Sequence, residues 1–440
     1  MMRAAQFEQL AQAAIETLRP GEHLNVSLAA ETSDFVRFNH AQVRQAGQVK
    51  QAMLTLALND GVRQASLQLT LAGTAQDLAQ VQAGVSQLRQ LLPLIAPDPW
   101  LAPHTAPWEV RNLAPDNRAD TLAVVNHVCA AAKGLDLVGI LANGPVSRGF
   151  ANSAGAFGWH DAYSLHLDWS LFHENGQAVK TSVAGPVWDP AAFDRQLARG
   201  REQLKYLGLP TVVVKPGCHR AYLAPAAMGE LLGMLAWGGF SAQALASQAS
   251  PLQKLYARQL SLNPAVTLRE QVTGSLSPAF SSEGRPRHDV PLITAGQASG
   301  RLANSRSATE YGLPYNGADA GEAPVALDMA AGVLALAEVP AALDRGLYIN
   351  NLWYLNYSDL PAARLTGLTR FATFWVEDGQ IVGPVDTMRF DDSVYDLLGD
   401  KLLGLTQERE LIVSSDTYEQ RHTDSSRLPG ALVSSLKLTL

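Results

Sequence analysis

Phe7, Leu10, Ala11, Ala14, Ile15 and Leu18 recur at helical spacing and Pro20-Gly21 stops them, so the chain opens on an amphipathic helix. The hydrophobic period then falls to two. Leu24, Val26 and Leu28 alternate, Phe35-Val36-Arg37-Phe38 forms a second short strand, and Leu54, Leu56 and Leu58 alternate up to Asn59-Asp60-Gly61. Leu67, Leu69 and Leu71 resume beyond that turn, a hairpin pattern in which Asp-Gly supplies the positive backbone dihedrals a tight turn needs. Thr74 is placed to cap a helix with Leu78, Val81, Val85, Leu88 and Leu92 on one face. The proline-rich stretch from Pro93 to Pro115 holds Trp100 and Trp108 and reads as a packed connection. A further helix runs from about Ala119 to Lys133, with Gly134 as its stop.

Strand patterns resume at Leu137–Ile140, Arg148–Asn152 and Ser164–Leu171, the last turning at His173-Glu174-Asn175-Gly176. Asp189-Pro190 then opens a helix whose buried face is Phe193, Leu197 and Leu204, with Asp as cap and Pro at the first helical position. The chain changes character near Lys205 to Pro210. Thr211–Val214 is a short β-branched strand, and after one more helix strand and turn signals dominate. The expected fold class is therefore α+β. Residues 1–205 form a domain of helices on a largely antiparallel sheet, and residues 206–440 form a strand-rich domain.

Composition narrows the partners. A formal net charge of -7 with no Lys/Arg run argues against nucleic acid, and the Arg195, Arg199, Arg201, Lys205 cluster reads as a solvated helix face. Cys129 and Cys218 are too few for a disulfide framework. Glu8, Gln9, Gln12 and Glu16 interrupt any signal-peptide core, and no apolar run approaches a membrane span, so a cytoplasmic location is expected.

Catalytic motifs are scarce. A zinc hydrolase usually starts from two histidines one helical turn apart, and no H-E-x-x-H or H-E-x-x-x-H occurs. His160 and His166 are six apart, separated by Asp161-Ala162-Tyr163, which looks like a turn, and His127 reads as a structural helix residue. No G-x-S-x-G elbow, P-loop or dinucleotide fingerprint is present, and the glycine-containing residues 317–322 lack a strand-to-helix context.

Four groups of segments carry the reading further by their order and spacing. The first is Phe35-Val36-Arg37-Phe38-Asn39 with Gly149-Phe150-Ala151-Asn152-Ser153-Ala154-Gly155. The second is Val212-Val213-Val214-Lys215-Pro216-Gly217 with Leu223-Ala224-Pro225-Ala226-Ala227. The third is Phe280-Ser281-Ser282-Glu283-Gly284, then Arg301-Leu302 and Ser305 to Gly312. The fourth is Leu365 to Arg370, Thr373 to Ile381 and Pro384-Val385. This succession resembles the TldD/PmbA family of metallopeptidases, once called modulators of DNA gyrase, over about residues 24–440.

In the zinc-bearing TldD type, the helix after the Leu-x-Pro segment carries H-E-x-x-x-H. The matching positions here are Gly233, Met234 and Gly238, and the stretch matching the family's cysteine ligand, Ser426 to Gly430, has no cysteine. Leu231, Leu232, Leu235 and Trp237 keep that helix apolar. The resemblance is thus to the PmbA (TldE) type, which lacks the zinc motif. It implies no catalytic residue, metal ligand or cofactor in this chain. It also implies zinc on a TldD-like partner, and cleavage of extended or unfolded peptides by the complex.

Glu283, Arg306, Thr366 and Arg370 are the substrate-cleft candidates; the plainer alternatives are a turn at Glu283-Gly284, a surface ion pair at Arg306 and a backbone bend at Thr366-Gly367. A homodimeric peptide-binding or scaffold protein with no peptidase activity is the competing expectation, and hydrolysis around His219 and His288 a third. Asn350-Asn351 and the aromatic run Trp353, Tyr354, Tyr357 depart from the familiar PmbA pattern. An obligate dimer is expected, with its interface mostly in the C-terminal domain and Leu347–Leu360 contributing Trp and Tyr to it.

Overall fold

Two sheets organise the chain, and the computed structural model describes residues 2–103, 105–114 and 117–440. The first part runs α1 (Ala4–Ile15), β1 (His23–Asn39), β2 (Gln42–Asn59), β3 (Gln64–Thr70), α2 (Gln76–Leu91), β4 (Trp108–Asn112) and α3 (Thr121–Ala131). It continues through β5 (Asp136–Asn152), β6 (Ala156–Phe172), β7 (Ala178–Gly185) and α4 (Pro190–Leu207). The sheet order is β3-β2-β1-β5-β6-β4, with β7 also on β6, and every pairing is antiparallel except β4 with β6. The fold is α+β, as the hydrophobic pattern predicts.

The strands are longer than the apolar alternation suggests. Leu24, Val26, Leu28 and Ala30 bury one face of β1 under α1 and α2. The phase then switches: Glu31 and Ser33 are buried, and Val36 and Phe38 pack into a second cluster with α3 and α4. One bent strand serves two cores, so the two short strands expected from its sequence are a single element. The same holds for β5 and β6, and Asp161-Ala162-Tyr163 lies inside β6 rather than in a turn. Where β1 and β5 come closest, Gly144 takes φ +143, and a Cβ there would meet the Thr32 carbonyl oxygen at 2.1 Å. No other residue type fits that crossing.

Local signals are mostly correct, with three exceptions. The Asp60-Gly61 hairpin forms, and Asp189 caps α4 by accepting from the Ala192 N–H at 3.0 Å. The start of α2 is held not by Thr74 but by Asp77, whose carboxylate accepts from the N–H groups of Ala72, Gly73 and Thr74. Leu78 on that helix is exposed. Thr211–Val214 makes only a single bridge, Val212 to Val385, because the first strand of the second sheet begins at Gly217.

That second sheet has eleven strands and closes on itself. Strand β8 (Gly217–Leu223) pairs parallel with Gly346–Asp359 and antiparallel with Ser425–Leu438. Strands Arg364–Glu377 and Arg389–Ser393 complete the ring. Helix α5 (Pro225–Ala236) packs on it through Ala227, Met228, Leu231, Leu232 and Leu235. The segment Leu347–Leu360 divides: Leu347, Tyr348, Ile349 and Leu352 are buried, whereas Trp353 and Tyr354 are exposed. Among the described residues no helix is long and apolar enough to cross a membrane.

The two parts are joined by polar and aromatic contacts. Trp108 stacks on Phe150 and donates its indole N–H to the Gly284 carbonyl at 2.8 Å; a Cβ at Gly284 would meet the Phe150 ring at 2.0 Å. His160, on β6, is 3.0 Å from Asn112 Nδ2 through Nδ1 and 3.0 Å from the Leu276 carbonyl through Nε2. The neutral tautomer with Nε2–H donating to Leu276 satisfies both contacts.

Burial holds the His160 imidazole below the ordinary histidine range, against the opposing pull of its bond to Leu276, and burial does the same to His166. The unfolded chain then binds protons that the folded chain resists. This stabilisation is complete above the ordinary histidine value of about 6.5 and is lost as pH falls below it. Denaturant titrations from neutral to acid pH should show stability falling through that window. The slope should be reduced in His160→Gln and reduced further when His166 is also replaced; identical slopes would count against this account.

Candidate functional site

A cleft of about 580 Å³ opens between the two sheets. One wall comes from the first part of the chain: His166 and Asp168 of β6, Val179–Ser182 of β7, and Gln196, Arg199, Gly200 and Gln203 of α4. The other comes from the second: Tyr222, the α5 residues Ala226, Gly229, Glu230, Gly233 and Met234, Asn350 and Asn351, residues 412–416, and Asp424–Ser426. Helix α5 sets this geometry. Its large apolar residues face the core, so the opposite face, spaced three and four apart, carries glycine, alanine and one glutamate into the cleft.

Direct bonds hold the walls together at one end. Arg199 and Gln196 reach Glu410 at 2.9 and 3.1 Å, and Gln203 donates to Asn350 Oδ1 at 3.1 Å. Lys180 pairs with Asp168 at 3.2 Å. Protein surrounds Glu230 on most sides while solvent still reaches it, and this desolvation pushes its carboxyl above the ordinary range, against Lys180 across the cleft. Burial pushes the Tyr222 and Tyr348 hydroxyls up, the latter to about 12.

The floor is fixed by residues 414–424, which leave the second sheet and insert into the bend of the first. Arg421 is buried there. It donates to Ser33 Oγ at 3.2 Å, the Gly144 carbonyl at 3.3 Å, and the Ser164 carbonyl and hydroxyl at 2.8 and 2.9 Å. Its backbone N–H points at Glu31 Oε1, 3.4 Å away, and Glu31 is held by Ser33 and Gln51, both at 2.6 Å. Arg148 donates to the Arg421 carbonyl at 3.0 Å. Burial lowers the Arg421 guanidinium to about 10, with Glu31 opposing and Arg148 reinforcing the fall, so it stays charged at neutral pH.

None of the four sequence-derived candidates lines this cleft. Glu283 accepts from the Ser305 N–H at 2.9 Å at the start of the helix Ser305–Tyr311, and burial raises its carboxyl. Arg306, on that helix, pairs with Asp98 and Glu310. Thr366 donates to the Phe390 carbonyl at 3.0 Å, accepts from Arg389 at 2.9 Å, and lines a separate hollow with Tyr354 and Tyr357. Arg370 is exposed beside the Phe371 ring. Glu283 and Arg306 lie near one another; Thr366 and Arg370 share a different strand. His166, Glu230 and Asn351 went unassigned in the sequence because they come from distant segments that only the fold brings together.

The sequence matches the PmbA/TldA metallopeptidase C-terminal domain over residues 216–440. The chain belongs to the PmbA/TldD family. Its fold is that of TldE from Thermococcus kodakarensis, with a TM-score of 0.81 at 16% identity over 98% of this chain and 99% of that one. A candidate modulator of DNA gyrase from Thermotoga maritima gives 0.76 at 16% identity over 98% and 99%. A similarly named protein from Bacteroides thetaiotaomicron gives 0.72 at 16% identity over the full length of both chains. No curated protein matches the sequence.

In this PmbA/TldD-family chain, the positions that the sequence resemblance matches to H-E-x-x-x-H fall partly on the cleft. Gly233 and Met234 line it, and a Cβ at Gly233 would meet open space. Helix α5 ends at Ala236, so Gly238, at φ +80, lies beyond it, and Trp237 is exposed rather than part of an apolar helix face. Ser426, in the stretch matching the cysteine ligand, also lines the cleft. Two glycines, a thioether and a hydroxyl do not make a zinc donor set. Among the described residues no three His, Cys, Asp or Glu side chains converge on a point.

Arg421→Ala should cost about 3 kcal/mol, because it leaves the buried Gly144 and Ser164 carbonyls without their donor. Denaturant unfolding measures the loss. Limited proteolysis should show residues 414–420 becoming the first cut site, whereas an unchanged digestion pattern would mean the loop is held by other contacts.

Proposed function

We propose that this chain is a TldE-like, non-catalytic subunit of a zinc metallopeptidase complex that cleaves extended or unfolded peptides in the cytoplasm. The observation that carries the reading is the cleft itself. The fold keeps it open between the two sheets and turns the α5 face toward it, while Gly233, Met234 and Ser426 stand where the zinc-bearing type has ligands. A TldD-like partner would hold the zinc, which would supply Lewis-acid activation of water for peptide hydrolysis. This chain contributes a wall of the chamber and contacts that hold the peptide in place. Backbone recognition of an extended chain needs little sequence specificity and suits that task.

The purified chain should hold well under one equivalent of zinc and show no peptidase activity. Activity should appear on mixing with a relative that carries H-E-x-x-x-H, and should vanish on chelation. One tightly bound zinc per chain, with activity of its own, would sink the reading. Activity neither alone nor with any such relative, in a protein that still binds peptide, would favour the homodimeric peptide-binding or scaffold alternative.

Assembly as a dimer belongs to the same reading. The exposed Trp353 and Tyr354, midway along strand Gly346–Asp359, offer large rings with polar edges, the residue types enriched at interfaces. Light scattering on the chain alone and with the zinc-bearing relative should give a dimer in at least one case. Trp353→Ala together with Tyr354→Ala should weaken it about tenfold or more. A monomer of 47.2 kDa under both conditions would refute the assembly.

A further inference from the structure

The cleft holds more hydrogen-bond acceptors than its own donors can serve. Its carboxylates are Asp168, Glu230, Glu410, Asp416 and Asp424, against the cations Lys180 and Arg199. Both cations are committed, Lys180 to Asp168 and Arg199 to Glu410. Burial disfavours the protonated form of His166. Asp424 has His422, Arg287 and Arg148 beside it and Asp416 accepts from the Tyr418 N–H, so Glu230 is the carboxylate left without a committed cation. Deeper in the wall, Asn351 is 9% exposed and its Oδ1 has no hydrogen-bond partner; Tyr222 is 0% exposed and its hydroxyl is equally unpartnered. An amide oxygen can only accept, so its desolvation stays uncompensated until a donor arrives.

The missing donor is positively charged, because it must also answer the Glu230 carboxylate. It is not a metal ion, since among the described residues no three such ligands converge. An ammonium or guanidinium group needs less: one carboxylate at hydrogen-bond distance and one or two neutral acceptors. The space suits a chain that carries such a group. The cleft shares Pro324 and Asp424 with a second cavity of about 470 Å³, so the two run together along the floor made by the inserted loop.

We propose that this cleft binds the cationic group of a peptide, an ammonium or guanidinium, with Glu230 as its counter-charge and Asn351 Oδ1 and the Tyr222 hydroxyl as neutral acceptors. This makes the subunit a selector of peptides and not only a wall, and it rests on the peptide-handling role proposed above. Glu230 stands on an α5 face between Gly229, Gly233 and Ala226, with Met234 the one long side chain beside it, so a bulky side chain can approach it over the glycines.

The test uses the full chain alone and three dye-labelled hexapeptides of glycine and alanine, labelled at the C-terminus and titrated at low ionic strength. One is N-acetylated with a single central lysine, the second is the same with glutamine, and the third is the glutamine peptide with a free amino terminus. At least one cationic peptide should bind about tenfold tighter than the acetylated glutamine peptide, and which one does so separates a side-chain ammonium from an N-terminal one. Glu230→Gln, at an exposed position, should abolish that preference while leaving the neutral peptide unchanged. Asn351→Leu should weaken it without altering the charge. Equal binding of all three peptides, binding of none, or an undiminished preference in Glu230→Gln would overturn the proposal. The titration needs neither zinc nor a second subunit. A cation preference without partner-dependent peptidase would keep this site and sink the subunit reading; partner-dependent peptidase without the preference would do the reverse.

Discussion

Arg421 is the constraint on which the arrangement depends. A guanidinium buried away from bulk water is costly unless every donor is met, and here the partners come from three different strands of the first sheet. Ser33 sits on β1, Gly144 on β5 and Ser164 on β6, so the bond set exists only when those strands bend together. The residue is also the deepest point of a loop that begins and ends in the second sheet. One side chain therefore couples the curvature of one sheet to the position of the other. The cleft walls, drawn from β6, β7 and α4 on one side and α5 on the other, inherit their spacing from that coupling.

The polar character of the bend explains why it escapes a reading of the sequence. Glu31, Ser33 and Asp34 interrupt an apolar alternation, and Arg421 lies in a run of charged and hydroxyl residues that looks like solvated loop. Both are buried only with respect to each other, across nearly the whole length of the chain. Where the signal is local, the sequence is sufficient: α1, the Asp60-Gly61 turn and the Asp189 cap need no distant partner. The same reasoning fails at Asp161-Ala162-Tyr163, where a strand interior carries the turn-like pattern because Asp161 accepts bonds from Ser147 and the Trp159 indole. The candidate site divides likewise. Ordered motif segments reveal the family, but motif residues such as Glu283 and Arg306 stabilise a helix start and a surface ion pair, while the cleft is assembled from single residues between His166 and Ser426.

Helix α5 shows how one element can keep its place in a core while its other face changes chemistry. Met228, Leu231, Leu232 and Leu235 anchor it in the ring of strands, and that packing is indifferent to what stands at Gly233, where an added Cβ would meet open space. A change of side chain at Gly233 costs the core nothing. The glycine leaves space, and with Asn351 and Tyr222 unpaired beneath it, the space is polar rather than greasy.

The ring of the second sheet is closed by its first and last strands, Gly217–Leu223 and Ser425–Leu438. During synthesis on a ribosome, some two hundred residues must emerge after β8 before its antiparallel neighbour exists. Until then β8, Gly346–Asp359 and the apolar face of α5 present unsatisfied edges and exposed core to the cell. The first sheet can form earlier, yet its Arg421 comes from the same late stretch. Both halves of the molecule thus wait on the same stretch, residues 421–438, and a nascent chain stalled before residue 421 would be a natural client for chaperones.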